Sequence, residues 1–194
     1  QTRRALNIAA STPAGTKRNF GTMTKPLHAG LASRSGVTAA VLAADGFTAD
    51  ETAISGDRGF WDLYGPESRS EFDFPDGWSL ADDGVHVKAY PCCYFTHTSI
   101  AAAQALAEEH DLAPDDVRRI EVHAARGARD ALRHSDPETS LEAKFSMEYA
   151  VASAVVFDEV GLATFEEAAI RDSAVRDLRN RVDFVVDDSL PYDS

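Results

Sequence analysis

The stretch SLEAKFSMEYAVASAVVFDEVG, residues 140–161, constrains this chain more than any other. Phe145, Tyr149, Ala152 and Val156 recur at helical spacing, which predicts a helix whose apolar face must be buried by other elements. A chain of 194 residues is long enough to build such a core, as one large domain or two small ones.

Upstream, the pattern is helical. Residues 33–46, SRSGVTAAVLAADG, have an Ala-rich interior that lets another helix come close, and Gly46 offers a C-terminal stop. Residues 48–65 open with Thr48 and Asp50 as capping candidates and break at Gly56 and Gly59. Residues 66–84 read as an irregular connection that ends in the turn Asp82-Asp83-Gly84. Beyond Gly84 the period changes. VHVKAYP, residues 85–91, alternates as a strand does and is ended by proline. Residues 96–111 predict a helix with Thr96 or Thr98 as N-cap. Val117, Ile120 and Val122 mark a second strand, SAVRDLRNR a short amphipathic helix and VDFVVDD a last strand. The expected class is therefore α+β, with a boundary near residue 84.

The net charge of -13 leaves no basic stripe to displace counterions, which argues against a nucleic-acid partner. No apolar run reaches the roughly 18 residues of a membrane span, so no membrane partner is expected either. Acidic pairs such as Glu108-Glu109 and Glu166-Glu167 suit a hydrated, self-repelling surface of the halophilic kind; an ordinary acidic cytoplasmic protein is the plainer alternative. A carboxylate substrate would need local cations on such a chain, and only four lysines are present, Lys17, Lys25, Lys88 and Lys144. The two cysteines, Cys92 and Cys93, are neighbours and can build neither a disulfide framework nor an iron–sulfur ligand set. A reducing, cytoplasmic setting and a reaction without metal or cofactor follow as expectations. The opening QTRRALNIAAST has no signal-peptide core and no Met, and reads as the middle of a longer protein.

Two short segments carry candidate chemistry. In GTMTKPLHAG, Pro26 biases Lys25 toward an extended or turn conformation, and Gly30 allows close approach of a ligand or helix. Lys25 can bind a carboxylate, and His28 can titrate near neutrality. A surface turn with a solvated lysine and a capping histidine is the alternative. In VKAYPCCYFTHTS, Lys88 is placed on a strand and His97 at the start of the next helix, where unpaired amides favour an anion. Tyr90 or Tyr94 could add a hydroxyl. Alternatively, Lys88 is an edge-strand charge and His97 a capped helix start. Cys93 with His97 as base lacks an orienting third group, and adjacent cysteines do not match zinc spacing. His123 and His134 are read as structural. Lys144 either points at a site or flanks a helix start.

Together these stretches resemble the MmgE/PrpD family, which includes 2-methylcitrate dehydratase, cis-aconitate decarboxylase and iminodisuccinate epimerase. The resemblance rests on GTMTKPLHAGLASRSGVTAAVLAADGFTA, GDRGFWDLYG, VKAYPCCYFTHTSIAAAQAL, VRRIEVH and EAKFSMEYAVASAVVF, in that order. It implies a large all-α domain, of which residues 1–83 would be a segment, followed by a smaller α+β lid domain over 84–194, incomplete at its C-terminus. It implies a homodimer that needs no metal and acts on a small di- or tricarboxylic acid. Lys25 and Lys88 would converge as active-site cations, His28 and His97 would be proton-transfer candidates, and Tyr90 and Lys144 would help bind substrate. Some members carry a histidine after the PC pair, where this chain has Cys93, which turns the expectation from the decarboxylase branch toward a hydro-lyase acting on a 2-methylcitrate-like acid in propionate metabolism. An isomerase or decarboxylase of the same family is the alternative; a non-catalytic acidic binding or assembly module is the alternative of another class. The family's other catalytic residues, an aspartate and histidines, would lie upstream of Gln1.

Overall fold

A computed structural model describes residues 1–13, 15–65, 77–82 and 84–192. The chain is α+β and divides into two compact units, residues 1–16 with 24–86, and residues 17–23 with 87–194. Most of the connection expected over 66–84 lies outside the described residues.

In the first unit, α1 (Thr2–Ala9) packs against α2 (Thr24–Ala44). The contact is made by small side chains: Ala39 and Ala43 are buried on α2, and so is Asn7 on α1. Asn7 donates from Nδ2 to the carbonyls of Arg3 and Glu51, which ties α1 to the turns after α2. Helix α2 begins nine residues before the Ala-rich stretch that signals it, and it ends as expected. Gly46, at φ +92°, closes it with bonds from the Gly46 amide to Ala43 O and from Phe47 to Leu42 O. That paired closure is a Schellman cap, which needs a left-handed residue and so favours glycine. Asp50 accepts bonds from the amide and hydroxyl of Thr52, making a turn instead of a helix cap. Helix α3 (Phe60–Tyr64) lies between Gly59 and Gly65, and α4 (Ser79–Asp82) follows the undescribed stretch.

In the second unit the elements are α5 (His97–His110), β1 (Ile120–Ala124), α6 (Arg126–Ala131), α7 (Ser140–Ala143), α8 (Met147–Val156), α9 (Glu167–Ile170), α10 (Ser173–Arg179) and β2 (Val182–Val186). The strands form a parallel pair, with Ile120 opposite Val182 and Ala124 opposite Val186. Helix α8 is buried on every side from Met147 to Ala154 and packs against α5, α10 and β2. Tyr149, with its ring 5.9 Å from that of Phe165, is fully buried; its hydroxyl donates to Thr164 O at 2.5 Å, so the one polar atom it brings inside is satisfied.

Two expectations fail here for stated reasons. The long helix predicted over 140–161 is broken into α7 and α8, and Phe145 stands between them. Thr139 and Glu142 form a capping box on α7, and the buried hydroxyl of Ser146 accepts the Tyr149 amide to start α8 anew. A local cap overrides apolar spacing. VHVKAYP is not a strand: Val85 and Val87 are 79% and 93% exposed, and no strand pairs with them among the described residues. Alternation records only which side chains could face inward; a strand exists when a neighbour takes its amides and carbonyls.

Residues 17–23 are bound into the second unit. The Phe20 ring lies 5.4 Å from that of Phe145, His134 Nε2 is 3.0 Å from Phe20 O, and the Lys17 ammonium sits over the Tyr192 ring at 5.9 Å. His134 is thus structural, as expected, and so is His123, which pairs with Glu121 on β1.

Candidate active site

Lys88, Tyr90, His97 and Lys144 come together around the start of α5. A short 3-10 turn, Tyr94–Thr96, runs straight into α5, so the His97 amide already donates to Tyr94 O and the Thr96 amide to Cys93 O. The 3-10 turn thus precedes α5, which begins at His97 as the sequence places it. Thr96 holds the N-cap position of α5, but its side chain makes no cap bond. Its hydroxyl donates to Cys93 O at 2.8 Å, which leaves its oxygen to accept from the Cys92 thiol at 3.0 Å. Burial pushes the Cys92 thiol up, against the pull of Lys88 and Lys144. It remains a protonated, inert thiol, as the sequence reading of the cysteine pair expects.

Lys88 reaches back to this turn from an irregular segment, its Nζ donating to Cys92 O at 2.8 Å. Lys144, in the break between α7 and α8, takes the Cys93 amide on its own carbonyl at 2.9 Å. Both ammonium groups act on the Cys92 thiol, so half of the chain's four lysines stand around one turn. The Tyr90 hydroxyl donates to Gln104 Oε1 at 3.0 Å.

His97 occupies the middle of this group. Its ring meets Tyr90 edge-on at 5.3 Å and Tyr94 at 5.4 Å. Nε2 is buried and has no hydrogen-bond partner among the described residues. Burial, and next the Lys88 charge, lower the imidazole pKa; the Cys92 and Tyr90 carbonyls pull the other way and do not prevail. The ring is therefore neutral near pH 7, with a nitrogen free to accept a proton.

In the first unit, Lys25 and His28 lie one turn apart at the start of α2. The expectation of an extended Lys25 is wrong: Thr24, Lys25 and Pro26 are all helical. Proline is tolerated in a first turn, where its missing amide has no carbonyl to serve, and its fixed φ suits the helix. The His28 ring lies against Gly15, where an added methyl would come within 3.0 Å of Nδ1. A methyl on Gly30 would meet no described atom within 4 Å, whereas one on Gly21, at the other end of the stretch, would lie 2.2 Å from His134 Nε2.

The sequence reading missed Gln104. Its signal was present, since it follows His97 by seven residues and so shares a face of α5 with it. Among the described residues no group of three or more His, Cys, Asp or Glu could hold a metal ion. No helix among them is long and apolar enough to cross a membrane.

The α+β class and the order of these segments meet one two-domain family. Residues 1–73 match the MmgE/PrpD N-terminal domain and residues 90–193 the MmgE/PrpD C-terminal domain. The chain belongs to the MmgE/PrpD family. It is similar to cis-aconitate decarboxylase of Mus musculus, 29% identical over 191 residues, which is 93% of this chain and 38% of that protein. It is also similar to cis-aconitate decarboxylase of Homo sapiens, 28% identical over 197 residues, covering 97% of this chain and 40% of that protein. The chain thus spans about two fifths of the length of these curated relatives.

Proposed function

We propose that this chain carries part of the active site of a lyase that moves a proton next to a carboxylate of a small di- or tricarboxylic acid. The observation that carries the reading is His97, a neutral imidazole with a buried, unpartnered nitrogen beside Lys88 and Tyr90. In the dehydration of a 2-methylcitrate-like acid, His97 takes the proton from the carbon bearing a carboxylate. The electrons of that C–H bond form the new double bond, the β C–O bond breaks, and the hydroxyl leaves as water once an acid protonates it. Lys88 and Lys144 hold carboxylates and stabilise the enolate-like charge between these steps, and Tyr90 orients the substrate. Lys25 and His28 contribute a further cation and a proton donor from the first unit.

Decarboxylation is the second reading, and the names of the two relatives favour it. There the C–C bond to a carboxylate breaks, CO₂ leaves, and the carbanion takes a proton. Part of a large helical domain followed by part of a lid, a homodimeric assembly, a cytoplasmic home, tolerance of high salt and a metal-free reaction complete the proposal.

The test is turnover of 2-methylcitrate and of cis-aconitate by the longer protein containing this chain, with products read by proton NMR. H97Q is expected to lower kcat/KM by roughly 10²–10⁴-fold, the usual worth of a general base. K88A and K25A are expected to lower it as well. Water loss or CO₂ release tells the two reactions apart. If neither acid turns over, or the three variants match the parent, the chain is a binding or assembly module and the proposal fails.

A further inference from the structure

A cleft of about 520 Å³ opens on the second unit between residues 136–139 and the pair α9–α10. It shares no lining residue with the Lys88 group. Three arginines, Arg171, Arg176 and Arg179, line it, together with Asp136, Glu138 and Glu167.

Arg179 is the unusual member. It is only 6% exposed, and its Nε is buried without a hydrogen-bond partner among the described residues. Its one ion-pair partner among them, Asp136, is 78% exposed and approaches from a loop. A guanidinium taken out of water needs its donors satisfied; one solvent-exposed carboxylate at one nitrogen leaves that compensation incomplete. Arg171 is tied to Glu167 one turn away. Arg176, one turn before Arg179 on α10, makes no ion pair among the described residues, and neither does Glu138. Of the cleft's acids, Glu167 is committed to Arg171 and Asp136 is the exposed partner of Arg179, while Arg176 carries no ion pair among the described residues and Arg179 Nε has no partner among them.

We infer that this cleft binds a small organic anion, a polycarboxylate or a phosphate, between Arg176 and Arg179, with Asp136 as the group it displaces. The planar fork of arginine suits both chemistries, and the cleft has the volume of a metabolite site. The inference does not rest on the lyase reading, and its test needs no turnover.

Citrate and inorganic phosphate are titrated separately into the 194-residue chain at constant ionic strength set with chloride, and backbone amides are followed by NMR. Saturable shifts at residues 136–139 and 171–179 are expected, and the tighter arm identifies the ligand class. R176A should weaken binding about tenfold, the worth of one charge-assisted contact. D136N should strengthen binding, because it removes the internal competitor for Arg179; a merely structural ion pair predicts no gain. R179K, checked for an unchanged fold by circular dichroism, should weaken binding although it keeps the charge. No saturable shift with either anion, equal affinity in R176A, or weaker binding in D136N would each overturn the inference.

Discussion

Gly21 stands first in the GTMTKPLHAG stretch and is buried at φ +86°, a conformation that side-chain-bearing residues rarely adopt. A methyl placed on it would lie 2.2 Å from His134 Nε2, well inside contact distance. G21A therefore carries two separate costs. Holding alanine in the left-handed region costs about 1–2 kcal/mol. Displacing the imidazole breaks its 3.0 Å bond to Phe20 O, worth about 1 kcal/mol. The sum is about 2–3 kcal/mol, or a fall in Tm of roughly 4–12 °C at the usual 2–4 °C per kcal/mol for a chain of this size. Urea unfolding of the parent, G21A, H134A and the double variant measures it. H134A alone should lose about 1 kcal/mol. Added to G21A it should lose nothing more, because the clash has already broken that bond and removing the ring also removes the clash. If H134A costs as much in the G21A background as in the parent, steric coupling between the two residues is refuted.

Further predictions concern the core and the candidate base. Ser146→Ala removes the N-cap of α8 and strands the Tyr149 amide, so chemical denaturation should show a loss of about 1–2 kcal/mol, and an unchanged midpoint would refute the cap. Glu148 is buried, and burial raises its pKa despite the help of Arg129 and Ser146. Its folded value lies above its unfolded one, so this group costs stability as pH rises through that interval. The advantage of E148Q should be smallest near pH 4 and grow toward pH 7, and a pH-independent difference would count against the assignment. His97 has the opposite sign. Its folded pKa is lowered, first by burial, so its contribution is complete above the ordinary imidazole value of about 6.5 and is lost as pH falls below that value. A histidine titration by proton NMR should place its midpoint below the ordinary imidazole value of about 6.5; a midpoint above that value would remove the basis for a neutral base.

Sequence alone determined what is decided within one or two turns of chain. Gly46 stops α2 because a Schellman closure needs a left-handed residue, and the α5, α10, β1 and β2 segments form where their periods place them. His97 opens its helix as read, and Cys92 is the small buried core residue that its neighbours suggested. Tertiary structure decided the rest. Residues 85–91 carry a strand's alternation and remain irregular, because backbone pairing is a property of two segments and not of one. The break before α8 depended on a serine hydroxyl finding the Tyr149 amide inside the core. The company of Lys88 and Lys144 around Cys92, 56 positions apart in the chain, was beyond any local pattern. Periodicity reports which face of an element is apolar, whereas proximity between distant side chains is set by how the buried faces pack together.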